Sequence, residues 1–253
     1  MDLTLLAGRY NALSNDAYHA FRRSTESGED PWTAAINAAR VPDDEWSRWN
    51  DPPILLRDHK PRAWRVDTDF IDILEIPSFL SLIECQRLID VIDSSLSPSL
   101  VTHGPDDYRT SSTCYLDSAD PDLTDQLDQR FADLLGVPPS FSESLQGARY
   151  DKGQYFKEHH DWFDPHHYTW LEHGNLGQRT WTVMVYLNTV EQGGETYFPE
   201  IERAFAPIAG TALAWNNLYE DGTPNEDTLH EARPVLAGRK YVITKWFRSR
   251  PAA

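Results

Sequence analysis

The feature that most constrains the fold of this chain is a set of short β-forming runs set between turn residues in its second half. Arg179 to Leu187 (RTWTVMVYL) is dense in β-branched and aromatic residues, and Lys240 to Arg248 (KYVITKWFR) repeats that texture as the last strand. Ala204 to Trp215 holds two short strands around Pro207 to Gly210, and Gly147 to Phe156 leads into a His-rich stretch. Upstream, DFIDILEIPSFL reads as a short strand and a turn. Ser81 to Ser94 (SLIECQRLIDVIDS) reads as a helix with Leu82, Ile83, Leu88, Ile89 and Ile92 as its apolar positions. A second helix is expected from about Pro121 to Leu135. Two helices followed by many short strands with Gly/Pro turns predict an α+β domain built on a β-sandwich or barrel.

The first sixty-odd residues differ in texture. Leu3, Leu6, Tyr10, Leu13, Ala17 and Ala20 recur at three- and four-residue steps and make one apolar stripe on a helix. Ser24 to Pro31 breaks it, and Asp30 with Pro31 reads as the N-cap and first-turn proline of a second helix through Arg40. Pro42, Pro52, Pro53 and Pro61 punctuate a Trp-rich connector. Residues 1–66 are therefore read as a helical extension and connector, and residues 67–250 as the main domain. The stripe is expected to dock on its own domain, with a homodimer seam as the alternative.

Charge excludes some partners. Lys+Arg is 23 against Asp+Glu 40, a net charge of −17, so a phosphate-binding face would have to be hidden in a strongly acidic whole. Neither nucleic acid nor an anionic membrane is expected as a partner. No apolar run approaches the ~20 residues needed to cross a bilayer. The N-terminus lacks the basic flank and long apolar stretch of a secretory leader, and Cys85 and Cys114 are too few for a disulfide framework. The expectation is a cytoplasmic location with two free thiols.

Nine histidines are present, five of them between 159 and 173. In FKEHHDWFDP, His159 and Asp161 stand two residues apart. On extended backbone such residues point to the same side, so an imidazole and a carboxylate can meet one ion, while His160 points away. A third ligand must come from elsewhere, and His230, before a turn and a β-run, is the best candidate. Two histidines and one carboxylate fill one face of an octahedron and leave three positions open, the set used by non-haem Fe(II) oxygenases.

The surrounding motifs sharpen this reading. Tyr150, Gly153, Gln154, Phe156, His159, Asp161 and Phe163 meet the pattern Tyr-x-x-Gly-Gln-x-(Tyr/Phe)-x-x-His-x-Asp-x-Phe. His230, Pro234, Val235, Gly238 and Lys240 meet His-x(3)-Pro-Val-x-x-Gly-x-Lys. With RTWTVMVYLNTVEQGGETYFP between them, and PSFLSLIECQRLI and Tyr108 to Ser112 (YRTSS) upstream, the chain from about Asp67 to Arg250 resembles the prolyl 4-hydroxylase family of Fe(II)- and 2-oxoglutarate-dependent dioxygenases. The resemblance implies a double-stranded β-helix, or jelly-roll, core with flanking helices. It implies His159, Asp161 and His230 as iron ligands and Lys240 as the partner of the distal carboxylate of 2-oxoglutarate, a role suited to a compact ammonium charge. Tyr150 and Thr196 would add hydrogen bonds to the cosubstrate and Trp246 an apolar wall, with Thr182 facing a similar region. Gly193 and Gly194 are read as turn residues with positive φ. The reaction implied converts 2-oxoglutarate and O2 to succinate and CO2 while hydroxylating an unactivated C–H bond, with ascorbate as a candidate reductant.

On the substrate side, Arg109, Ser111 and Arg179 match family positions near a peptide groove. Glu143 and Gln146 lie close in sequence to the entrance, and Trp162 and His166 flank the metal motif. A proline-rich ligand in polyproline II form would suit such an aromatic-lined surface. Two departures bear on substrate. Arg233 stands where eukaryotic collagen-modifying relatives often carry cysteine, and DPHHYTWLEHGNLGQ is inserted before Arg179. Hydroxylation of prolyl residues in a peptide or protein is therefore the first expectation. A free amino acid or other small molecule is the alternative within the same chemistry, because one fold and triad serve many substrates. A metal-binding or sensing module without turnover is the alternative from another class. A zinc hydrolase finds no support in an HExxH motif.

Overall fold

The computed structural model describes residues 64–66, 68, 70–99, 108–117, 120–164, 176–219 and 221–251. The two N-terminal helices, the Trp/Pro connector up to residue 63 and the seam proposed on the first helix lie outside these residues, as does His166. Trp64–Arg65, read as the connector's end, pairs instead with the main domain's sheet, and Val66 is in its core.

In chain order the elements are β1 (Trp64–Arg65), β2 (Ile73–Ile76), α1 (Leu82–Ser95), β3 (Ser97–Pro98), β4 (Ser112–Tyr115), α2 (Pro121–Leu135), β5 (Gln146–Tyr150), β6 (Phe156–His159), β7 (Arg179–Tyr186), β8 (Gln192–Gly193), β9 (Thr196–Phe198), β10 (Arg203–Phe205), β11 (Ala212–Asn216), β12 (His230–Ala232), β13 (Val235–Ala237) and β14 (Lys240–Arg248). Both expected helices form. Ser81 starts α1 with a capping box, its hydroxyl accepting from the Glu84 backbone while the Glu84 side chain returns to the Ser81 N–H. Asp120 caps α2 ahead of Pro121.

An eight-stranded antiparallel sheet runs β1-β2-β11-β7-β14-β5-β4-β3, and a four-stranded sheet runs β10-β9-β12-β6. The helices cover the outer face of the large sheet and the small sheet covers the inner face, giving the α+β jelly roll expected from the sequence. Both faces of the large sheet are buried, which is why its strands read as near-continuous apolar runs. Alternation still sorts the side chains. Leu74, Val183, Val185, Ile243 and Phe247 pack toward α1 and α2 with Ile92 and Phe131. Ile73, Tyr150, Met184, Tyr186, Leu213, Trp215 and Val242 pack between the sheets with Phe198 and Ala232. Burying one such large apolar side chain contributes about 1.5–3 kcal/mol.

The same period divides β14. Lys245 points to the helices and pairs with Asp128 of α2 at 2.6 Å. Lys240, Val242, Thr244 and Trp246 point between the sheets. Gly147 on β5 is required by close approach, since a Cβ there would lie 2.6 Å from Ile92 of α1. Gly193 and Gly194 hold φ of 75° and 76°, the left-handed region expected of them.

Candidate active site

The pocket opens between the two sheets. It is lined from the large sheet by Gln146, Ala148, Tyr150, Met184, Trp215, Lys240, Val242, Thr244 and Trp246, and from the small sheet by Phe156, His159, Thr196, His230 and Ala232, with Arg109 and Asp161. Register builds its metal-binding end. His230 on β12 is the direct cross-strand partner of His159 on β6, which sets the two rings 4.3 Å apart. Strand β6 stops at His159, so Asp161 stands in a bend and not on the continuous extended backbone the sequence predicted. Its carboxylate nevertheless comes round to both imidazoles. Asp161 Oδ1 is 3.9 Å from His159 Nε2 and Oδ2 is 4.0 Å from His230 Nε2, and one ligand atom from each residue lies within 4.8 Å of the others.

The donors fit a cation. Each imidazole has its Nδ1 against a backbone carbonyl, Lys157 at 2.8 Å for His159 and Thr228 at 2.9 Å for His230. A donating Nδ1–H fixes the tautomer and leaves the Nε2 lone pair facing the shared space. Burial holds both imidazoles below their ordinary pKa, so they are neutral at pH 7, as ligation requires. Burial works against the Asp161 charge too, but His230, His159 and Arg179 and the Thr182 hydroxyl outweigh it and keep the carboxyl below its usual range. A neutral–neutral–anionic trio with three facing atoms suits a hard-to-borderline divalent ion such as Fe(II).

The other end holds a cation. Lys240 is 1% exposed, and its Nζ lies 5.2 Å and 5.4 Å from the Tyr150 and Tyr186 ring centres. Desolvation pushes its pKa down to about 7, opposed only by Glu195. No carboxylate stands within ion-pair distance of Nζ among the described residues. A buried ammonium without an anion is a receptor for one. Thr196 Oγ1 accepts from the Tyr186 hydroxyl at 2.7 Å and donates to Met184 Sδ at 4.0 Å, a weak sulfur acceptor that a carboxylate oxygen would readily replace.

Residues 145–248 match the family described as the 2OG-Fe(II) oxygenase superfamily, and that span contains the whole His–Asp–His cluster and Lys240. The prolyl 4-hydroxylase subunit alpha-1 of Homo sapiens is 30% identical over 215 residues, 85% of this chain and 37% of that protein. Residues 145–248 are thus a 2OG-Fe(II) oxygenase domain, and the chain is similar to the prolyl 4-hydroxylases. It spans about a third of the length of the curated relatives it matches. The viral collagen prolyl hydroxylase of Paramecium Bursaria Chlorella virus-1, solved with 2OG, matches with a TM-score of 0.57 at 26% identity, over 74% of this chain and 98% of that one. A Pseudomonas putida prolyl-4-hydroxylase shares the fold, with a TM-score of 0.51 at 20% identity over 70% of this chain and 92% of that one.

Within this oxygenase fold the remaining expected residues take distinct places. Arg109 lines the pocket, its Nε on Ser111 Oγ at 2.9 Å, its NH2 on Gln146 at 3.0 Å and its guanidinium 4.9 Å over Phe156. Ser111 is buried behind it and also meets Ser99 at 2.8 Å. Trp246 lines the pocket. Arg179 lies outside the lining. It grips Glu143 with two bonds of 2.7 Å and stacks 4.1 Å over the Trp246 ring. Trp162 also lies outside the lining, where it donates to the Asn225 carbonyl at 3.1 Å and packs on His160. His160 turns away from the His159–Asp161–His230 cluster, with its Nε2 against the Glu226 carbonyl at 2.9 Å.

Two sets of residues escaped the sequence reading. Arg248 joins Glu143 at 2.8 Å, so one carboxylate is shared by two guanidiniums that both flank Phe163 at 4.7 Å. Thr182 Oγ1 donates to Asp161 Oδ2 at 2.7 Å and accepts from Asn217 Nδ2 at 2.9 Å. The sequence placed Thr182 near the cosubstrate, and gave no sign of Asn217, whose partner lies 35 residues away.

Proposed function

We propose that this chain is an Fe(II)- and 2-oxoglutarate-dependent dioxygenase that hydroxylates prolyl residues in a peptide or protein. One observation carries the reading. A single pocket has three convergent ligand atoms at one end and a buried, anion-free lysine at the other. A cosubstrate with a chelating 2-oxo acid head and a distal carboxylate has matching chemistry at both ends.

His159, Asp161 and His230 would hold the iron. Bound iron with 2-oxoglutarate and O2 supplies the oxidative decarboxylation that yields succinate and CO2 and hydroxylates the substrate carbon. The protein's own share is binding, orientation and exclusion of water. Lys240 Nζ would pair with the distal carboxylate, and the hydroxyls of Tyr150 and Thr196 would donate to it. Met184, Val242 and Trp246 give the cosubstrate an apolar wall. Arg109, held by Ser111 and Gln146, lines the same pocket as His159 and would meet the substrate there. Prolyl specificity is supported by likeness to prolyl 4-hydroxylase subunit alpha-1 and to a viral collagen prolyl hydroxylase. A reducing location such as the cytoplasm is part of the proposal, supported by two buried free thiols, Cys85 and Cys114. So is ascorbate as reductant.

The test is succinate formation from 2-oxoglutarate under air with Fe(II), with proline-rich peptides, free amino acids or neither. Stimulation by peptide, with one added oxygen on proline by mass spectrometry, is the expected result. Stimulation by a free amino acid alone would overturn the peptide assignment, and no turnover in an iron-loaded folded sample would overturn the catalytic one.

A further inference from the structure

We propose that Thr182, backed by Asn217, is a positioning residue that decides which oxygen of Asp161 is offered to the metal and holds it there. The proposal rests on the metal-site reading above. Asp161 stands past the end of β6 in a bend, so no strand ladder fixes its carboxylate. What fixes it comes from the large sheet. Thr182 sits on the inner face of β7, fully buried, and its Oγ1 reaches Asp161 Oδ2 at 2.7 Å.

The direction of that bond is forced. A threonine hydroxyl has one proton and can also accept. Asn217 Nδ2 donates to the same Oγ1 at 2.9 Å, so the hydroxyl proton is left for Asp161. Asn217 is itself fully buried and pinned by its backbone, its N–H on the Thr180 carbonyl at 2.7 Å and its carbonyl accepting from Asn225 at 2.9 Å. The relay Asn217–Thr182–Asp161 therefore runs one way, from amide to hydroxyl to carboxylate.

The consequence is chemical. Oδ2 carries a strong bond to a neutral donor, and Oδ1, 3.9 Å from His159 Nε2, keeps its lone pairs for a cation. A carboxylate presenting one oxygen leaves more of the metal's positions open than one that swings to present both. The bland alternative is that Thr182 only satisfies a buried carboxylate, which would affect stability and nothing else.

The experiment compares wild type with Thr182→Val, Thr182→Ser and Asn217→Ala. The metal-free melting temperature, the dissociation constant for Co(II) and the visible spectrum of the Co(II) form are measured. The expected result is Co(II) affinity about 10- to 100-fold weaker in Thr182→Val, the loss usual when a group supporting a ligand is removed. The band shape should change with it, and Thr182→Ser should restore both. Asn217→Ala should show a smaller loss in the same direction, and it carries the test if the valine variant does not fold. Co(II) binding and spectrum unchanged in folded Thr182→Val, with wild type binding normally, would overturn this proposal alone. Wild-type protein that takes up no metal would overturn the metal-site reading and the proposal together.

Discussion

Replacing Lys240 with methionine keeps most of the side-chain volume and removes the charge at the inner end of the pocket. Its pKa falls from 10.5 to about 7 on burial, which corresponds to about 5 kcal/mol held against the charged form. A distal carboxylate in the pocket would return most of that. Removing one partner of a buried, hydrogen-bonded charge pair costs about 2–5 kcal/mol. A central value of about 3 kcal/mol is roughly a 150-fold rise in the KM for 2-oxoglutarate. The assay is initial-rate succinate formation against 2-oxoglutarate, with Co(II) affinity measured in parallel. Metal affinity should be unchanged in Lys240→Met, because the substitution touches none of the three ligands. A 2-oxoglutarate KM within about threefold of wild type would refute the reasoning, since a 3 kcal/mol effect cannot hide there. The same residue sets a pH signature. Free Lys240 loses its charge above pH 7, so 2-oxoglutarate affinity should weaken from pH 7 to 9 in wild type and stay flat in Lys240→Met. Stability moves the other way. Between pH 7 and 10.5 the unfolded chain keeps a proton on Lys240 that the folded, ligand-free protein has lost. Stability should therefore rise with pH across that window and be lost as pH falls through 7.

Single substitutions His159→Ala, Asp161→Ala and His230→Ala should each abolish succinate formation and weaken Co(II) binding; near-wild-type turnover in any of them would remove that residue from the ligand set. His160→Ala should leave Co(II) affinity unchanged, because its Nε2 faces the Glu226 carbonyl, and loss of metal there would contradict the register of β6. Burial holds His159 and His230 below the ordinary histidine value, so only the unfolded chain takes up protons near pH 6.5. The urea midpoint of the metal-free protein should therefore fall from pH 7 to 5, and fall less in His159→Ala. Glu143→Gln removes the one negative charge shared by Arg179 and Arg248 and should destabilise the fold by about 3 kcal/mol, read in urea unfolding.

Much of the fold was legible because its local signals agree with its global layout. Pro121 to Leu135 and Lys240 to Arg248 appear as elements with the expected bounds, each delimited by local chemistry: an Asp–Pro start for the helix and a β-former run between Gly238 and Pro251 for the strand. The convergence of His159, Asp161 and His230 was legible through spacing and motif, although the geometric premise was only half right, because β6 ends before Asp161. What the sequence hid is long-range pairing among ordinary residues. Glu143, Arg179 and Arg248 converge from three separate segments, and nothing in their own neighbourhoods marks them as one cluster. Ser111 and Arg179 read as groove residues because they match family positions, and their partners in the fold are not visible from sequence. In the fold Ser111 holds Arg109, and Arg179 holds Glu143 and covers Trp246.

The most direct test of the central claim is the fate of O2. With Fe(II), 2-oxoglutarate, a proline-rich peptide and oxygen gas of heavy isotope, mass spectrometry should find one labelled atom in succinate and one in hydroxyproline, in equal amounts. Succinate without label, or hydroxylated peptide carrying only solvent oxygen, would contradict a 2-oxoglutarate-coupled dioxygenase built on His159, Asp161, His230 and Lys240.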